Sequence, residues 1–204
     1  DRYGGTEAGT VCTITSLEWL QYKGSAGKCL PRFTAHVVDD NDVEVPVGEV
    51  GRLYFIDHSG EGVVYLNAPE KTAAAHIRPG VFTLGDLGYV NAEGYVFVTG
   101  RTADTVVSGG VNLYPAEIER VLLDCPGVSE AAVVGVPDTE MGESLLACIV
   151  REDAGLNEAD IILFAREVLA GPKVPRKFVF VEELPRNPVG KLDRKVLREM
   201  HAKN

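Results

Sequence analysis

Ser108-Gly109-Gly110-Val111-Asn112-Leu113-Tyr114-Pro115-Ala116-Glu117-Ile118-Glu119 lies near the middle of a 204-residue chain and divides it into two textures. The glycine pair lets the backbone approach a ligand closely and take positive φ, and the rest of the string opens a helix. Proline at 115 suits a first helical turn, where its missing N–H costs nothing. Ile118, Val121 and Leu122 fall on one face at i, i+3 and i+4, and Cys125-Pro126-Gly127 stops the run. Further on, the spacing predicts strands over 128–136, 145–150 and 178–181. It predicts a helix capped by Asn157 that runs to 169, with Glu158 and Asp160 in its first turn. A last helix is predicted over 191–202, and Thr105-Val106-Val107 reads as a short strand.

Upstream of Asp104 the sequence is β-rich. Phe33-Thr34-Ala35-His36-Val37-Val38 alternates and ends at the turn-like cluster Asp39-Asp40-Asn41-Asp42. A second strand is predicted over 50–56. Residues 61–66 read either as a third strand or as a lead into a helix over 69–76, which has Pro69 in its first turn and Glu70 near its positive end. Tyr89-Val90, Asn91-Ala92-Glu93-Gly94 and Tyr95-Val96-Phe97-Val98 read as a hairpin with a glycine-containing loop. The expected class is α+β, mixed α/β: a β-rich part over 1–103 followed by a small α+β part over 104–204.

The composition is that of an ordinary globular chain, with 45% hydrophobic residues and mean hydropathy near zero. Twenty basic and thirty acidic residues leave a formal charge of −10. That balance excludes the basic stripe of a nucleic-acid-binding protein, though not a nucleotide, whose phosphates need only a metal ion and a few placed cations. Cys12, Cys29, Cys125 and Cys148 form no Cys-x-x-Cys pair and have no histidine at metal-ligand spacing. They read as free thiols of a cytoplasmic protein. No apolar run is long enough for a transmembrane segment, and no signal peptide is evident.

Four segments carry chemistry. In Asp1-Arg2-Tyr3-Gly4-Gly5-Thr6-Glu7, the glycines allow close approach, Tyr3 can stack on a purine, and Thr6 can donate to a phosphate. The Glu7 carboxylate can hold Mg²⁺; read alone, the segment is equally a glycine turn with a surface Thr-Glu. In Phe82-Thr83-Leu84-Gly85-Asp86, a carboxylate can accept both hydroxyls of a ribose, or simply sit in a type I turn. Arg101 lies fifteen residues on and can return to the side of Asp86 across the hairpin. Gly100-Arg101-Thr102-Ala103-Asp104 marks the change of texture, and a local Arg101–Asp104 ion pair is its plainest reading. Lys191, in Pro185-Arg186-Asn187-Pro188-Val189-Gly190-Lys191-Leu192-Asp193-Arg194, is a point charge on a long stem. By itself it reads as a solvated lysine at a helix entry.

The order and spacing of these segments resemble the adenylate-forming enzymes, and among them the fatty-acyl-CoA ligases. The resemblance runs from Tyr3 to Arg194. It implies that Tyr3, with Gly4 and Gly5, packs on adenine, that Thr6 meets the α-phosphate and that Glu7 binds magnesium. Asp1 stands where the family places a polar residue toward the adenine amino group, and Asp86 and Arg101 hold the ribose. Asp104 is the implied hinge, Ser108, Gly109 and Gly110 line the CoA channel, and Lys191 stabilises charge during adenylation. The family carries threonine where this chain has Leu84, and tyrosine where it has Pro172. The segment around Lys173-Val174-Pro175 is expected to be structural.

On this resemblance, 1–103 is the distal part of a large AMP-binding N-terminal domain and 104–204 a mobile C-terminal lid, the chain beginning inside a longer protein. The implied activity uses ATP, Mg²⁺ and CoA to convert a carboxylic acid, here a fatty acid, to acyl-AMP and then to a thioester. The Ser/Thr/Gly-rich phosphate loop of the family is not found in the sequence, so the chain alone is expected to be inactive. Two other readings stand beside it. One is a relative that charges a carrier-protein pantetheine or stops at acyl-AMP; the other is a non-catalytic binding fragment.

Overall fold

Short apolar runs broken by glycine give the first hundred residues two antiparallel sheets. The computed structural model describes residues 1–201, and the chain divides into two units, Asp1–Ala103 and Asp104–Asn204. In the first unit β1 (Arg2–Gly5), β2 (Gly9–Thr13) and β3 (Lys28–Cys29) form a three-stranded sheet in that order. Between β2 and β3 runs α1 (Ser16–Gln21), started by a capping box in which Thr15 Oγ1 accepts from Glu18 N and the Glu18 carboxylate accepts from Thr15 N.

The second sheet holds β4 (Phe33–Val38), β5 (Gly51–Asp57), β6 (His76–Arg78), β7 (Val81–Phe82), β8 (Asp86–Val90) and β9 (Val96–Arg101). β5 is its centre and pairs with β4, β7 and β8. Residues 61–66 form no strand. Val63 N donates to His76 Nε2 and Tyr65 N to Thr72 Oγ1, so this backbone is tied to side chains of and beyond α2 (Pro69–Ala74) instead of to a ladder. The helix expected to reach 76 stops at Ala74, because His76 already begins β6. Val11, Phe33, Val37, Leu53, Phe55, Phe82 and Val96 make the core of the unit, with Phe33 edge-on to Phe82 at 5.9 Å.

Asp57, at the end of β5 and only 3% exposed, is a titratable anchor of this unit. Arg32 grips it with Nε on Oδ1 at 2.9 Å and Nη2 on Oδ2 at 2.7 Å, and the Ser59 and Gly62 amides add donors. The Arg32 guanidinium holds this carboxyl well below the usual carboxylate range, against the opposing effect of burial. A depressed folded pKa stabilises fully above the unfolded value of about 3.9. The contribution is then lost as pH falls below that value toward the lowered folded one. Arg32→Ala is expected to lower stability at neutral pH and to flatten its fall below about pH 4, as read by urea unfolding across a pH series.

The second unit is built on a sheet that is apolar on both faces. It contains β10 (Val106–Ser108), β11 (Val111–Leu113), α3 (Pro115–Leu123), β12 (Val128–Asp138), β13 (Gly142–Arg151), α4 (Glu158–Val168), β14 (Lys177–Phe180) and α5 (Arg194–His201). The strand order is β11-β10-β13-β12, with β14 parallel to β13. Alternation along β12 and β13 sends Val133, Leu145, Ala147 and Ile149 into a core with Ile118 and Leu122 of α3 and Ile161 and Ala165 of α4. Ala132, Val134, Leu146 and Cys148 face the other way and pack with Leu184 and Leu197 of α5.

Two expectations are corrected here. Val111–Leu113 is a strand, not the opening of a helix, because Gly109 and Gly110, at φ +56° and +81°, make a two-residue turn that folds β11 back on β10. The last helix begins at Arg194, since Lys191 belongs to the preceding turn and Asp193 Oδ1 accepts from Val196 N at the helix entry. The predicted end of that helix at 202 lies outside the described residues. Among the described residues no helix is long and apolar enough to cross a membrane.

Candidate functional site

In the first unit the site starts from two close-packed glycines, of which Gly4 admits nothing larger. A Cβ on Gly4 would lie 1.9 Å from the Gly9 carbonyl oxygen, and one on Gly5 would meet Glu7 Oε2 at 2.9 Å and Leu84 Cδ2 at 3.3 Å. A β-bulge falls between Tyr3 and Gly4. Tyr3 is half-buried beside Phe55, ring centroids 5.8 Å apart, and its hydroxyl donates to Asp86 Oδ2 at 2.6 Å. Burial, with the Asp86 bond adding to it, pushes the Tyr3 phenol far above its ordinary value, so it stays a donor.

Asp86 is only 4% exposed and stands opposite Arg101 in the β8–β9 ladder, with Arg101 Nε 2.8 Å from Asp86 Oδ1. The arginine itself reaches outward, its side chain 62% exposed. The turn before Asp86 needs Gly85 at φ +81° and is braced by Thr83, whose hydroxyl donates to Leu53 O at 2.7 Å and accepts from Gly85 N at 2.9 Å. Leu84 supplies no hydroxyl; Thr83, one residue earlier, is the one that holds the turn.

Glu7 and Thr6 sit exposed in the turn between β1 and β2. Glu7 Oε1 accepts from the Tyr65 hydroxyl at 2.7 Å. Its own backbone amide, and then Tyr65, lower the Glu7 pKa, which keeps it ionised. Tyr65, with Lys71 Nζ 3.8 Å above its ring, carries no motif signal and was not expected at the site. Asp1 is exposed, its carboxylate accepting from Arg2 N at 2.8 Å. Among the described residues no three His, Cys, Asp or Glu side chains gather as a metal cage. A single ionised carboxylate fits magnesium, which keeps its waters and takes further oxygens from phosphates.

In the second unit Ser108 is buried and Gly109 N donates to Met141 O at 2.9 Å. A Cβ on Gly109 would lie 2.4 Å from Met141 Cε. Beside this turn is a cleft of about 540 Å³ whose lining includes Ser108, Gly109, Val111, Met141, Arg166 and Arg176.

Asp104 ends a short 3₁₀ turn, Thr102–Asp104. Within the second unit Asp104 Oδ2 lies 3.2 Å from Arg194 Nε and Oδ1 lies 3.3 Å from Arg198 Nη2. Arg194 also clasps Glu119, through Nη1 to Oε1 and through Nη2 to Oε2 at 2.8 Å, and donates to Val133 O at 3.0 Å. Burial opposes the charge of Arg194, but Glu119 and Asp104 outweigh it, so its pKa is raised. Lys173 Nζ holds both Glu117 oxygens at 2.7 and 2.9 Å, pinning the Lys-Val-Pro segment to α3.

Lys191 is exposed and follows Gly190 at φ +80°. Asn187 N donates to Lys191 O at 2.8 Å, and Lys191 N donates to Asn187 Oδ1 at 3.0 Å. The turn is therefore held by the Lys191 backbone and by Asn187, and leaves the Lys191 side chain out of its bonding. The structure thus gathers Tyr3, Asp86 and Arg101, sets Glu7 on Tyr65, and presents Ser108–Gly110 and Lys191 on separate turns.

Residues 117–191 match the family described as AMP-binding enzyme C-terminal domain. Over 200 residues the chain is 42% identical to a 2-succinylbenzoate--CoA ligase of Bacillus mycoides (strain KBAB4), covering 97% of this chain and 40% of that one. It is 37% identical over 209 residues to the long-chain-fatty-acid--CoA ligase FadD13 of Mycobacterium tuberculosis (strain ATCC 25618 / H37Rv), covering 98% and 39%. Among solved structures, ATP-bound MatB from Rhodopseudomonas palustris matches with a TM-score of 0.86 at 37% identity, covering 98% of this chain and 40% of that one. The chain spans about two fifths of the length of the curated relatives it matches. With the motifs in order and the α+β fold in place, residues 117–191 carry the AMP-binding enzyme C-terminal domain, and the chain as a whole is similar to part of the CoA ligases.

Proposed function

We propose that the chain is part of an ATP-dependent acyl-CoA ligase acting on a carboxylic acid, with a fatty acid as the substrate class. The observation that carries the reading is the Tyr3–Asp86–Arg101 cluster. It joins a buried carboxylate, a fixed phenol donor and an outward guanidinium, a donor and acceptor set that suits a ribose diol next to an adenine. Names of relatives favour the same reaction but differ in their acids, one being a 2-succinylbenzoate ligase and another a long-chain-fatty-acid ligase. Four free thiols suit a cytoplasmic protein.

In this reading Tyr3, Gly4 and Gly5 seat the adenine, with Asp1 at its amino edge, and Asp86 and Arg101 fix the ribose. Thr6 donates to the α-phosphate and Glu7 holds magnesium, which supplies charge neutralisation at the phosphates. Lys191 offers its ammonium to the negative charge that builds between carboxylate and α-phosphate as acyl-AMP forms. Ser108, Gly109 and Gly110, beside the cleft containing Arg166 and Arg176, receive the CoA arm for thioester formation, and Asp104 is the pivot between the two steps. The chain has no Ser/Thr/Gly-rich phosphate loop, so by itself it is expected to show no turnover.

The test uses the full-length protein that carries this chain, given Mg-ATP, CoA and a panel of fatty, aromatic and steroid-derived acids, with products read by mass spectrometry. Acyl-CoA with AMP supports the ligase and names the acid. Acyl-AMP that accumulates untouched by CoA moves the reading to a carrier-charging or adenylate-only enzyme. Asp86→Asn is expected to weaken AMP binding tenfold or more, since a hydrogen bond to a charged group is worth about 1.5–3 kcal/mol. Isothermal titration checks the affinity, and an unchanged circular dichroism spectrum separates it from a folding defect.

A further inference from the structure

β2 and β3 set two cysteines directly opposite each other, Cys12 against Cys29, with their sulfurs 3.5 Å apart. The ladder hydrogen bond belongs to the neighbouring pair, Leu30 N donating to Val11 O at 2.9 Å. Cys12 and Cys29 therefore occupy a non-hydrogen-bonded position, where facing Cα atoms lie about 4.5 Å apart. That separation falls inside the span of about 4.4–6.8 Å that a disulfide bridges. Closure needs the two sulfurs to move from contact to bond length, with no shift of register.

The two thiols are unequal. Cys12 is fully buried in the core of the first unit, and Cys29 is half-buried. The thiol–thiol contact, in which either sulfur can donate, and then burial raise the Cys12 pKa. The same contact lowers Cys29, with the Ala35 backbone assisting against burial. Cys29 is thus the reachable nucleophile and Cys12 the partner waiting behind it. Cys125 and Cys148 lie in the second unit, both buried, and burial raises each, Cys148 to about 11.

We propose that Cys12 and Cys29 form a reversible oxidation site that closes to an intrachain disulfide in the presence of a hydroperoxide. The Cys29 thiolate attacks one peroxide oxygen and breaks the O–O bond. The other oxygen leaves as hydroxide and is protonated to water, leaving Cys29 as a sulfenic acid. The Cys12 sulfur, giving up its proton, attacks the Cys29 sulfur and breaks its S–O bond, and a second water departs. Two thiols lose two electrons in all, and one hydrogen peroxide is reduced to two waters. A dithiol reverses the bond by exchange. The staple fixes β3 to β2, whose opposite edge pairs Cys12 with Tyr3, the residue that donates to Asp86.

The test treats the chain with hydrogen peroxide, alkylates the remaining thiols after unfolding, and maps peptides without reduction. The expected result is a peptide pair linked through Cys12 and Cys29, a fall in alkylatable cysteines from four to two, and recovery of four after dithiothreitol. Cys29→Ser and Cys12→Ala are each expected to abolish the intrachain link. Should the buried Cys12→Ala change prevent folding, Cys29→Ser at the half-exposed position still decides the matter. Several results would each overturn the proposal: Cys29 sulfinic acid with Cys12 still reduced, links through Cys125 or Cys148, cross-links between chains, or four thiols left untouched.

Discussion

Lys191→Ala in the full-length protein is expected to cut adenylation by about 10²–10³-fold, the usual effect of removing one preorganised donor from developing negative charge. Thioester formation from supplied acyl-AMP and CoA is expected to continue. The substitution is a clean probe because the turn that presents Lys191 is held by other atoms. Its backbone N and O bond Asn187, Asn187 Oδ1 also accepts from Val189 N, and Arg186 pairs with Leu192 across the turn. Alanine leaves all of these in place, so the loss reads the ammonium alone. Pyrophosphate release measures the first step, and conversion of synthetic acyl-AMP measures the second. Full adenylation with thioester formation lost would reverse the assignment of Lys191.

The sequence could be read wherever the determining contacts are local. The β4 strand, the α3 face of Ile118, Val121 and Leu122, and the Asn157 cap of α4 all follow from neighbouring residues, and each forms. Asp86 and Arg101 could be placed together because one hairpin joins them, yet their registry depends on a detail no spacing shows. Val90 pairs with Val96 at one end of the hairpin, and an unbroken ladder would set Asp86 opposite Gly100. An irregularity between Leu87 and Gly88 shifts the register by one and brings Arg101 to Asp86.

The remaining partners were hidden by distance along the chain. Tyr3 reaches Asp86 across 83 residues, Tyr65 reaches Glu7 across 58, and Arg194 reaches Glu119 across 75. No periodicity encodes such meetings; packing creates them. The Gly109-Gly110 turn was local and still misread, because a glycine pair before a proline-headed helix looks like a loop until Val106–Ser108 and Val111–Leu113 are seen to pair.

Arg194→Ala is expected to destabilise the second unit by about 3 kcal/mol or more, the usual cost of breaking a buried ion pair by deleting one partner. Arg194 and Glu119 are 18% and 12% exposed at their side chains, and Asp104 is 25% exposed. Without the guanidinium, Glu119 keeps, among the described residues, the Val133 amide as its donor, Val133 O loses a partner, and Asp104 is left to Arg198. At about 4–8 °C per kcal/mol for a unit of this size, the melting temperature should fall by more than about 10 °C. Lys195→Ala is the control, since its pair with Glu199 is exposed and 3.8 Å long, and such pairs are worth at most about 0.5 kcal/mol. Arg194→Lys should recover little, because one ammonium cannot span Glu119, Asp104 and the Val133 carbonyl together. Removing both charges, Arg194→Met with Glu119→Leu, should recover part of the loss, because a hydrophobic pair spares the desolvation of two ions. The recovery stays partial, since the Val133 amide then has no acceptor and Asp104 still lacks Arg194. A melting curve for Arg194→Ala no lower than that of Lys195→Ala would show that this cluster does not hold Asp104 and α5 together.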